Sequence, residues 1–554
     1  MTSITANIAS HLTVAAREEP HRIALYEPSK KKAEGRYTYT PYTYKKLEDL
    51  SNRIAGGLEA YGITKGTKTI LMVPPSIAFF SLAFALFKVG AVPILIDPGM
   101  GVKNLKQCLR DASPEGFIGV PKAHLARLIL GWERGRLKRL VTVGNKRIWG
   151  GTTLDAITSL GKDSNPESLS ETAAHDMAAI LFTSGSTGLP KGAVYTHANF
   201  TAQVGALKRT YHISGGDIDL CTFPLFSLFA PALNMVSIIP QMDFTRPARV
   251  DAKHIFDLIE SFGVTNMFGS PALIRRISNA GLEQGQKLKT LKRVISAGAP
   301  VNAEILKTFS KMLSTDTEIF TPYGATEALP VCSIGSHEIL GETADATDLG
   351  KGICIGKPLD SIDLSIIKIT DAPIDQWHDE LILQDGRIGE ITVKGPQVTK
   401  FYVNGIKCER LNKITDSTAG QVYHRMGDLG YRDNRGRIWF CGRKSHRVIT
   451  ATETLFTIQV EAIFNVHKAV SRTALVGIPE GSCQKPVLIV EARSRLNGAE
   501  RSKLRDELLE QASGHEMTTG IDTILFYKKF PVDIRHNAKI NRELLAVWAE
   551  GRLS

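Results

Sequence analysis

The sequence has few cysteines, and none stands in a pattern that suits a metal or a disulfide framework. Its 554 residues include seven cysteines, an odd number, and no two of them form a C-x-x-C pair. A disulfide scaffold and a structural zinc site are therefore not indicated. So little cysteine is typical of a chain that works in a reducing compartment, and we expect a cytoplasmic protein.

A secretory leader and a membrane span are not indicated either. Residues 1–7 lack the basic segment and the apolar run of a signal peptide. The most apolar stretch, residues 70–87, is interrupted by Pro74 and Pro75. This pattern predicts a buried strand followed by a packed helix instead of a membrane-spanning helix.

Positive charge exceeds negative charge, but no nucleic-acid motif accompanies the excess. The chain has 68 Lys and Arg against 56 Asp and Glu, a formal net charge of +12. Such a balance favours anionic partners such as nucleotides, pyrophosphate or an acidic surface. Because the chain has no long basic block, we expect no nucleic-acid partner.

Short apolar strands alternate with helices over much of the chain. The pattern predicts a helix over residues 76–88, and strands over 91–96, 117–120 and 140–143. Alternation of this kind predicts helices that cover largely parallel sheets, which is an α/β fold.

The length and a change in composition predict two domains. A chain of 554 residues is too long for one ordinary core. Beyond Arg443 the pattern becomes that of a small α+β unit of about 110 residues, enough for one compact domain. We therefore predict a large domain over 1–443 and a small domain over 444–554.

A loop rich in glycine and hydroxyl residues lies between two predicted strands and ends in Lys191. Glycines let backbone N–H groups turn towards an anion, hydroxyls add donors, and the lysine adds positive charge. The spacing matches neither the GxxxxGK[ST] loop nor the GxGxxG fingerprint. A passive surface turn is the alternative, but the lysine and the flanking strands favour a phosphate site. The loop residues are Thr183, Ser184, Gly185, Ser186, Thr187 and Gly188.

This loop resembles the phosphate-binding loop of the adenylate-forming superfamily, which includes acyl-CoA synthetases, adenylation domains of peptide synthetases and luciferases. Later segments resemble the same superfamily in the same order. They are the turn Gly298-Ala299-Pro300, the segment Tyr323-Gly324-Ala325-Thr326-Glu327, the pair Asp428 and Arg443, and the ending that contains Lys539. The resemblance implies the superfamily's fold, with a small mobile C-terminal domain that carries the catalytic lysine.

The resemblance also implies ATP and Mg²⁺ as cofactors and a role for each matching residue. Lys191, Thr326, Glu327 and Lys539 would be catalytic, and Glu327 would also hold the metal. ATP would be bound by Thr183, Ser184, Gly185, Ser186, Thr187, Gly188, Gly298, Ala299, Pro300, Tyr323, Gly324, Ala325, Asp428 and Arg443.

The sequence departs from the superfamily's pattern at three positions. The predicted hinge residue is Ser445 where most relatives have Asp or Lys, and Ser227 stands where His is common. Thr452 occupies a site that usually holds a glycine beside the pantetheine arm of coenzyme A. A β-branched residue there blocks a close backbone approach, so we do not expect thioester formation.

Within the superfamily, the chain resembles the β-lactone synthetases of bacterial long-chain olefin biosynthesis. That resemblance implies adenylation of a long-chain 2-alkyl-3-hydroxy fatty acid and attack by its own hydroxyl to form a β-lactone. The aromatic stretch 223–240 would then house alkyl chains, although plain core packing also explains it. The predicted substrate pocket comprises Phe226, Ser227, Phe229, Ala230, Leu233 and Phe268.

Two alternatives to this function remain open at the level of sequence. One is a long-chain fatty acyl-CoA synthetase or a fatty acyl-AMP ligase, and the other is a non-catalytic nucleotide- or acyl-binding relative. The expected partner is a hydrophobic hydroxy acid, with a possible association with other enzymes of the same lipid pathway. The base that removes the hydroxyl proton is not assigned, and the candidates by residue type are His197, His337, His424, His446 and His536.

Overall fold

The computed structural model describes residues 6–31, 37–96, 100–133, 135–145, 149–162, 170–182, 190–403, 405–417, 420–532 and 540–553. The predicted phosphate-loop residues 183–188 and the predicted catalytic Lys539 lie outside the described residues.

The strands of the described chain have the following bounds. They are β1 (Ile23–Lys31), β2 (Tyr37–Thr43), β3 (Lys68–Met72), β4 (Val92–Leu95), β5 (Gly116–Gly119), β6 (Arg139–Thr142), β7 (Thr152–Thr153), β8 (Met177–Phe182), β9 (Gly192–Thr196), β10 (Ile218–Leu220), β11 (Val236–Ile238), β12 (Asn266–Phe268), β13 (Arg293–Ile295), β14 (Glu318–Ala325), β15 (Ala328–Gly335), β16 (Ile353–Pro358), β17 (Asp363–Ile367), β18 (Gly389–Lys394), β19 (Phe401–Tyr402), β20 (Lys413–Asp416), β21 (Gln421–Arg432), β22 (Ile438–Arg443), β23 (Val448–Ile449), β24 (Thr454–Leu455), β25 (Val470–Glu480), β26 (Cys483–Ala492) and β27 (Thr523–Phe526).

The α-helices have the following bounds. They are α1 (Ser10–Glu18), α2 (Tyr44–Tyr61), α3 (Ile77–Lys88), α4 (Val102–Ala112), α5 (Pro121–Leu130), α6 (Leu154–Leu160), α7 (His197–Thr210), α8 (Pro224–Ser227), α9 (Ala230–Leu233), α10 (Ala252–Phe262), α11 (Pro271–Gln284), α12 (Ala303–Ser310), α13 (Ser336–Glu338), α14 (Ala344–Ala346), α15 (Ile406–Asn412), α16 (Thr457–Asn465), α17 (Gly498–Ser513) and α18 (Arg542–Leu553).

The first sheet has the strand order β19-β9-β8-β4-β3-β5-β6-β7. Its strands from β8 to β7 pair in parallel, whereas β9 and β19 add antiparallel strands at one edge. Helix α3 packs into its core and is buried from Phe79 to Lys88. Lys88 at the end of this helix lies 2.6 Å from the Glu48 carboxylate, which compensates its buried charge.

The second sheet is larger and mixed, with the order β17-β18-β21-β22-β16-β15-β14-β13-β12-β10-β11-β1-β2 and with β20 paired to β21. Strands β1, β11, β10, β12, β13 and β14 pair in parallel. From β14 onward the pairing is antiparallel, so β21 and β22 run side by side with β16 and β18 next to them. This arrangement aligns the predicted Asp428 with Arg443 across neighbouring strands.

The C-terminal part forms a small sheet of β25, β26 and β27 with cores of its own. Helix α16 is tied to α18 by Glu461, whose carboxylate lies 2.7 Å from the Arg542 guanidinium. The two large sheets and this small unit confirm the predicted α/β fold with a smaller α+β part. The division at residue 443 stays a prediction. No helix among the described residues combines the length and apolar content needed to cross a membrane.

Candidate active site

A cavity of about 3250 Å³ is lined by residues of both large sheets and of the C-terminal unit. A single small-molecule site usually occupies about 300–1,000 Å³. This cavity is large enough to hold a nucleotide together with a long apolar substrate. Its lining changes from charged and polar groups at one part to aromatic side chains at another.

One part of the cavity holds a charged pair on the neighbouring strands β21 and β22. The Arg443 Nη1 lies 3.0 Å from Asp428 Oδ1, and Tyr323 Oη donates a hydrogen bond of 2.6 Å to Asp428 Oδ2. The Asp428 carboxylate raises the pKa of Arg443 above its ordinary value. Gly427, directly before Asp428, has a φ of +66°, a conformation that favours glycine. The predicted ribose-binding residues are therefore brought together on a fixed backbone.

The two predicted glycine-containing turns line the same cavity. Gly298, Ala299 and Pro300 follow β13, and Gly298 has a φ of +97°. A Cβ atom on Gly324 would lie 2.6 Å from the Ala328 carbonyl oxygen, so a residue with a side chain does not fit there. Tyr323, Gly324 and Ala325 line the cavity together with these turns, as an adenine-binding edge would require.

Glu327 and Thr326 also line the cavity. The Tyr402 hydroxyl donates a 2.8 Å hydrogen bond to Glu327 Oε1, and the Glu327 side chain is 7% exposed. The Tyr195 hydroxyl donates to the Thr326 carbonyl oxygen. These two tyrosines fix the position of Thr326 and Glu327. Neither tyrosine was predicted as a site residue.

The Glu327 carboxylate fits a magnesium ion that is shared with a nucleotide. Within the described ranges, no group of three or more His, Cys, Asp and Glu side chains forms a metal cage. Mg²⁺ commonly takes one or two carboxylates and completes its shell with phosphate oxygens and water. A single buried carboxylate on the cavity wall suits that mode of binding.

A group of cations lies close to Glu327. Lys191 Nζ donates a 2.8 Å hydrogen bond to the Asn412 side chain and faces the ring of Tyr402. Lys413 donates to the Thr399 carbonyl oxygen, and burial lowers the pKa of Lys413 to about 7. Positive groups at this place suit the tail of a nucleotide. Of them, only Lys191 was predicted from the sequence.

Aromatic side chains line another part of the cavity. Phe268 stacks on Phe223 with ring centroids 4.8 Å apart and packs against Phe226 at 5.3 Å. Phe229 and Phe200 add further aromatic surface. Three of the six predicted pocket residues, Phe226, Phe229 and Phe268, thus line the cavity.

The other three predicted pocket residues lie behind this wall. Ala230 and Leu233 are buried in the core and do not line the cavity in the described structure. The Ser227 hydroxyl points away and donates a 2.8 Å hydrogen bond to Asp219. Two short helices, α8 and α9, cause this difference because side chains three positions apart, such as those of residues 227, 230 and 233, share one helical side that faces the core.

The Asp219 carboxyl behind the wall should make stability depend on pH. Burial raises its pKa to about 6. The unfolded carboxyl titrates near about 4, so between these values the folded state binds more protons and stability falls as pH rises. Between pH of about 5 and about 7 this group should cost about 1 kcal/mol of unfolding free energy. Asp219→Asn keeps the acceptor for Asn266, and its amide N–H can donate to the Ser227 hydroxyl once that hydroxyl turns to accept. The variant should remove that part of the pH dependence in urea unfolding. An unchanged pH dependence in the variant would contradict this assignment.

The predicted hinge residue Ser445 is exposed, lies in a 3₁₀ turn over Lys444–His446, and lines the cavity. Thr452 lies elsewhere, in an exposed turn between β23 and β24. Its backbone N–H donates to the Thr450 hydroxyl. Thr452 is not among the lining residues of the cavity in the described structure.

The structure separates the histidines that were candidates by residue type. His197 is buried and accepts a hydrogen bond from the backbone of Ile8, and His337 lies on the surface beside Glu318. His446 lines the cavity and pairs with Glu543 at 3.2 Å. His424 also lines the cavity and is 2% exposed. His536 lies outside the described residues.

The residues that flank the Lys539 segment reach the same cavity. Val532 and Ile540 pair in an antiparallel bridge, and both line the cavity. The chain therefore leaves and re-enters the described structure at the cavity wall, which is compatible with a catalytic role for Lys539.

A family model described as AMP-binding enzyme matches residues 12–403. The chain belongs to the AMP-binding enzyme family. This confirms the predicted adenylate-forming superfamily and a ligase-type enzyme that forms AMP.

Members and neighbours of this family match the chain over nearly its whole length. A protein of Stenotrophomonas maltophilia named olefin beta-lactone synthetase is 47% identical over 99% of this chain and 98% of its own. A protein of the same name from Xanthomonas campestris pv. campestris is 46% identical over 98% and 97%. The solved structure of O-succinylbenzoate coenzyme A synthetase from Bacillus subtilis, in complex with ATP and magnesium ion, aligns with a TM-score of 0.71 at 20% identity and covers 97% of this chain and 98% of its own.

Proposed function

We propose that this AMP-binding enzyme uses ATP to activate a long-chain 2-alkyl-3-hydroxy fatty acid and then closes it to a β-lactone. The observation that carries the proposal is the identity of 46–47%, over nearly the whole chain, to two proteins named olefin beta-lactone synthetase. The cavity supports the proposal because charged residues that suit a nucleotide and aromatic residues that suit alkyl chains line the same space.

In the first step, a carboxylate oxygen of the acid attacks the α-phosphorus of ATP, and the bond to pyrophosphate breaks. Asp428 and Arg443 would hold the ribose, and Tyr323 would stack beside the adenine. Thr326, Lys191 and Lys539 would neutralise charge that develops on the phosphates. A magnesium ion held by Glu327 would supply further neutralisation of the phosphate oxygens.

In the second step, the 3-hydroxyl oxygen of the same substrate attacks the acyl carbon. A new carbon–oxygen bond closes the four-membered ring, the bond between the acyl carbon and AMP breaks, and the hydroxyl proton is released. Because both reacting groups belong to one molecule, proximity offsets part of the ring strain. The aromatic wall of Phe226, Phe229 and Phe268 would hold the alkyl chains beside the reacting centre.

The test is mass spectrometry of a reaction with ATP, Mg²⁺ and a long-chain 2-alkyl-3-hydroxy acid, with and without coenzyme A. We expect a product lighter than the acid by one water, formed together with AMP in the absence of coenzyme A. A thioester that forms only with coenzyme A would instead establish the acyl-CoA synthetase alternative. Formation of neither product, with no AMP released, would support the non-catalytic alternative.

Thr452→Gly gives a second, independent check on the acceptor. The threonine lies in an exposed turn outside the cavity lining, so lactone formation should stay within about twofold of the wild-type rate. No thioester should appear with coenzyme A, since the substrate's own hydroxyl remains the nearer acceptor. Thioester formation by the variant alone would show that Thr452 is the block, and that the enzyme retains an acyl-CoA synthetase's acceptor path.

The proposal also includes three finer predictions. They are rotation of the unit 444–554 about Ser445, a cytoplasmic location, and association with other enzymes of the same lipid pathway.

A further inference from the structure

His424 occupies a buried position beside the cations of the cavity. It lies on β21, is 2% exposed and lines the cavity. Its register partner on β20 is Lys413. Asn412 connects His424 to Lys191. Its backbone carbonyl forms a hydrogen bond with His424, and its side chain accepts one from Lys191.

The hydrogen bond to Asn412 determines which imidazole nitrogen of His424 keeps its lone pair. His424 Nδ1 lies 3.0 Å from the Asn412 carbonyl oxygen. A carbonyl oxygen only accepts, so Nδ1 must carry the proton and donate. In the neutral ring, Nε2 is then unprotonated, and it forms no hydrogen bond with any residue that the structure describes. This nearly fully buried side chain therefore has an acceptor nitrogen that no described residue uses, and Asn412 links the ring to Lys191.

The charges around the ring explain why it is neutral. Burial first, and then the positive charges of Lys413, Lys191 and Arg443, hold the pKa of His424 well below its ordinary value. The nearby carboxylates are engaged elsewhere. Glu327 accepts from the Tyr402 hydroxyl and Glu409 accepts from the Tyr402 backbone N–H.

We propose that His424 is a pyrophosphate-binding residue, which takes up one proton when ATP binds and releases it when pyrophosphate leaves. The inference rests on the proposed function, since it needs the ATP phosphates beside Lys191. The negative charge of the ATP phosphates at this place would favour the protonated imidazole and raise the pKa of His424. The proton comes from solvent to Nε2, and Nε2–H then donates a charge-assisted hydrogen bond to a phosphate oxygen.

The experiment is titration calorimetry with the full-length enzyme in buffers of different ionisation enthalpy at about pH 7. The dependence of the observed heat on the buffer gives the number of protons taken up. MgATP and magnesium pyrophosphate should each cause uptake that approaches one proton per site, whereas AMP, which lacks the β- and γ-phosphates, should cause almost none. Equal uptake with AMP and MgATP would overturn the inference. A variant of His424 is needed to assign the proton, because the pKa of Lys413, about 7, also lies near the pH of the experiment.

The variant His424→Gln should bind MgATP without proton uptake and about tenfold or more weakly, because a charged donor is lost. His337→Gln is the matched control, since His337 lies on the surface next to Glu318, and it should behave as the wild type. Lactone formation together with wild-type proton uptake in His424→Gln would overturn only this inference. Failure of the wild-type enzyme to bind MgATP would overturn the proposed function and this inference together.

Discussion

Lys539→Ala is expected to lower acyl-adenylate formation by about 100- to 1,000-fold, the usual loss when one donor to a developing charge is removed. A lysine that bridges the carboxylate and the α-phosphate acts mainly in the transition state, so the loss should appear in kcat with a smaller change in the KM for ATP. Val532 and Ile540, which flank the Lys539 segment, line the cavity. We therefore expect the variant to slow the adenylation step itself. Pyrophosphate release, followed with the hydroxy acid and MgATP, measures it directly.

The matched control for this variant is Lys529→Ala. Lys529 is an exposed lysine of the same C-terminal unit, and its removal should leave pyrophosphate release within about twofold. If Lys539→Ala kept the wild-type rate, the assignment of the catalytic lysine would be wrong. If both variants lost activity equally, the loss would reflect the charge of the unit and not a lysine at the reacting atoms.

Local elements could be predicted from the sequence because their signals lie within a few residues. Helix α3 was predicted over 76–88 and forms over Ile77–Lys88, since a mostly apolar run follows the helix-capping Ser76. The pair Asp428 and Arg443 was predicted only from the resemblance to the superfamily, because a lone Gly-Asp is otherwise an ordinary turn. In the structure the two residues face each other because β21 and β22 are neighbouring antiparallel strands whose register pairs Asp428 with Arg443.

The supporting residues of the site could not be predicted, because their roles depend on contacts between distant parts of the chain. Tyr402 bonds to Glu327 across 75 positions of sequence, and Asn412 bonds to Lys191 across 221. A tyrosine or an asparagine in a polar stretch carries no local sign of such a contact. The orientation of Ser227 was missed for another reason. A shift of one residue along the short helix α8 would decide whether the Ser227 side chain faces the cavity or Asp219.

A buried ion network in the cavity wall connects the large sheet to the segment before Ser445. Glu390 on β18 lies 2.6 Å from Arg425 and 3.0 Å from Lys444, and Glu390 and Arg425 are each 1% exposed. Arg425 also donates to the carbonyl oxygens of Thr370 and Ala372. One carboxylate therefore balances two cations, one of which lies next to the predicted hinge. Charges of this kind are costly to bury, and the network is stable only while the carboxylate is present.

Glu390→Gln should therefore lower the free energy of unfolding by about 3–5 kcal/mol, because the amide keeps the shape but removes the negative charge that pairs with the buried Arg425 and the partly buried Lys444. Urea unfolding followed by tryptophan fluorescence measures the change. The matched control is Asp375→Asn, which breaks an ion pair with Arg410 whose side chains are 59% and 65% exposed, and which should cost less than about 1 kcal/mol. Equal losses in the two variants would contradict the network's role, whereas a large loss in Glu390→Gln alone would show that burial decides it. In the double variant Glu390→Gln/Arg425→Gln the unpaired guanidinium is removed as well, so part of the lost unfolding free energy should return. The loss that remains measures how strongly Lys444 depends on the same carboxylate.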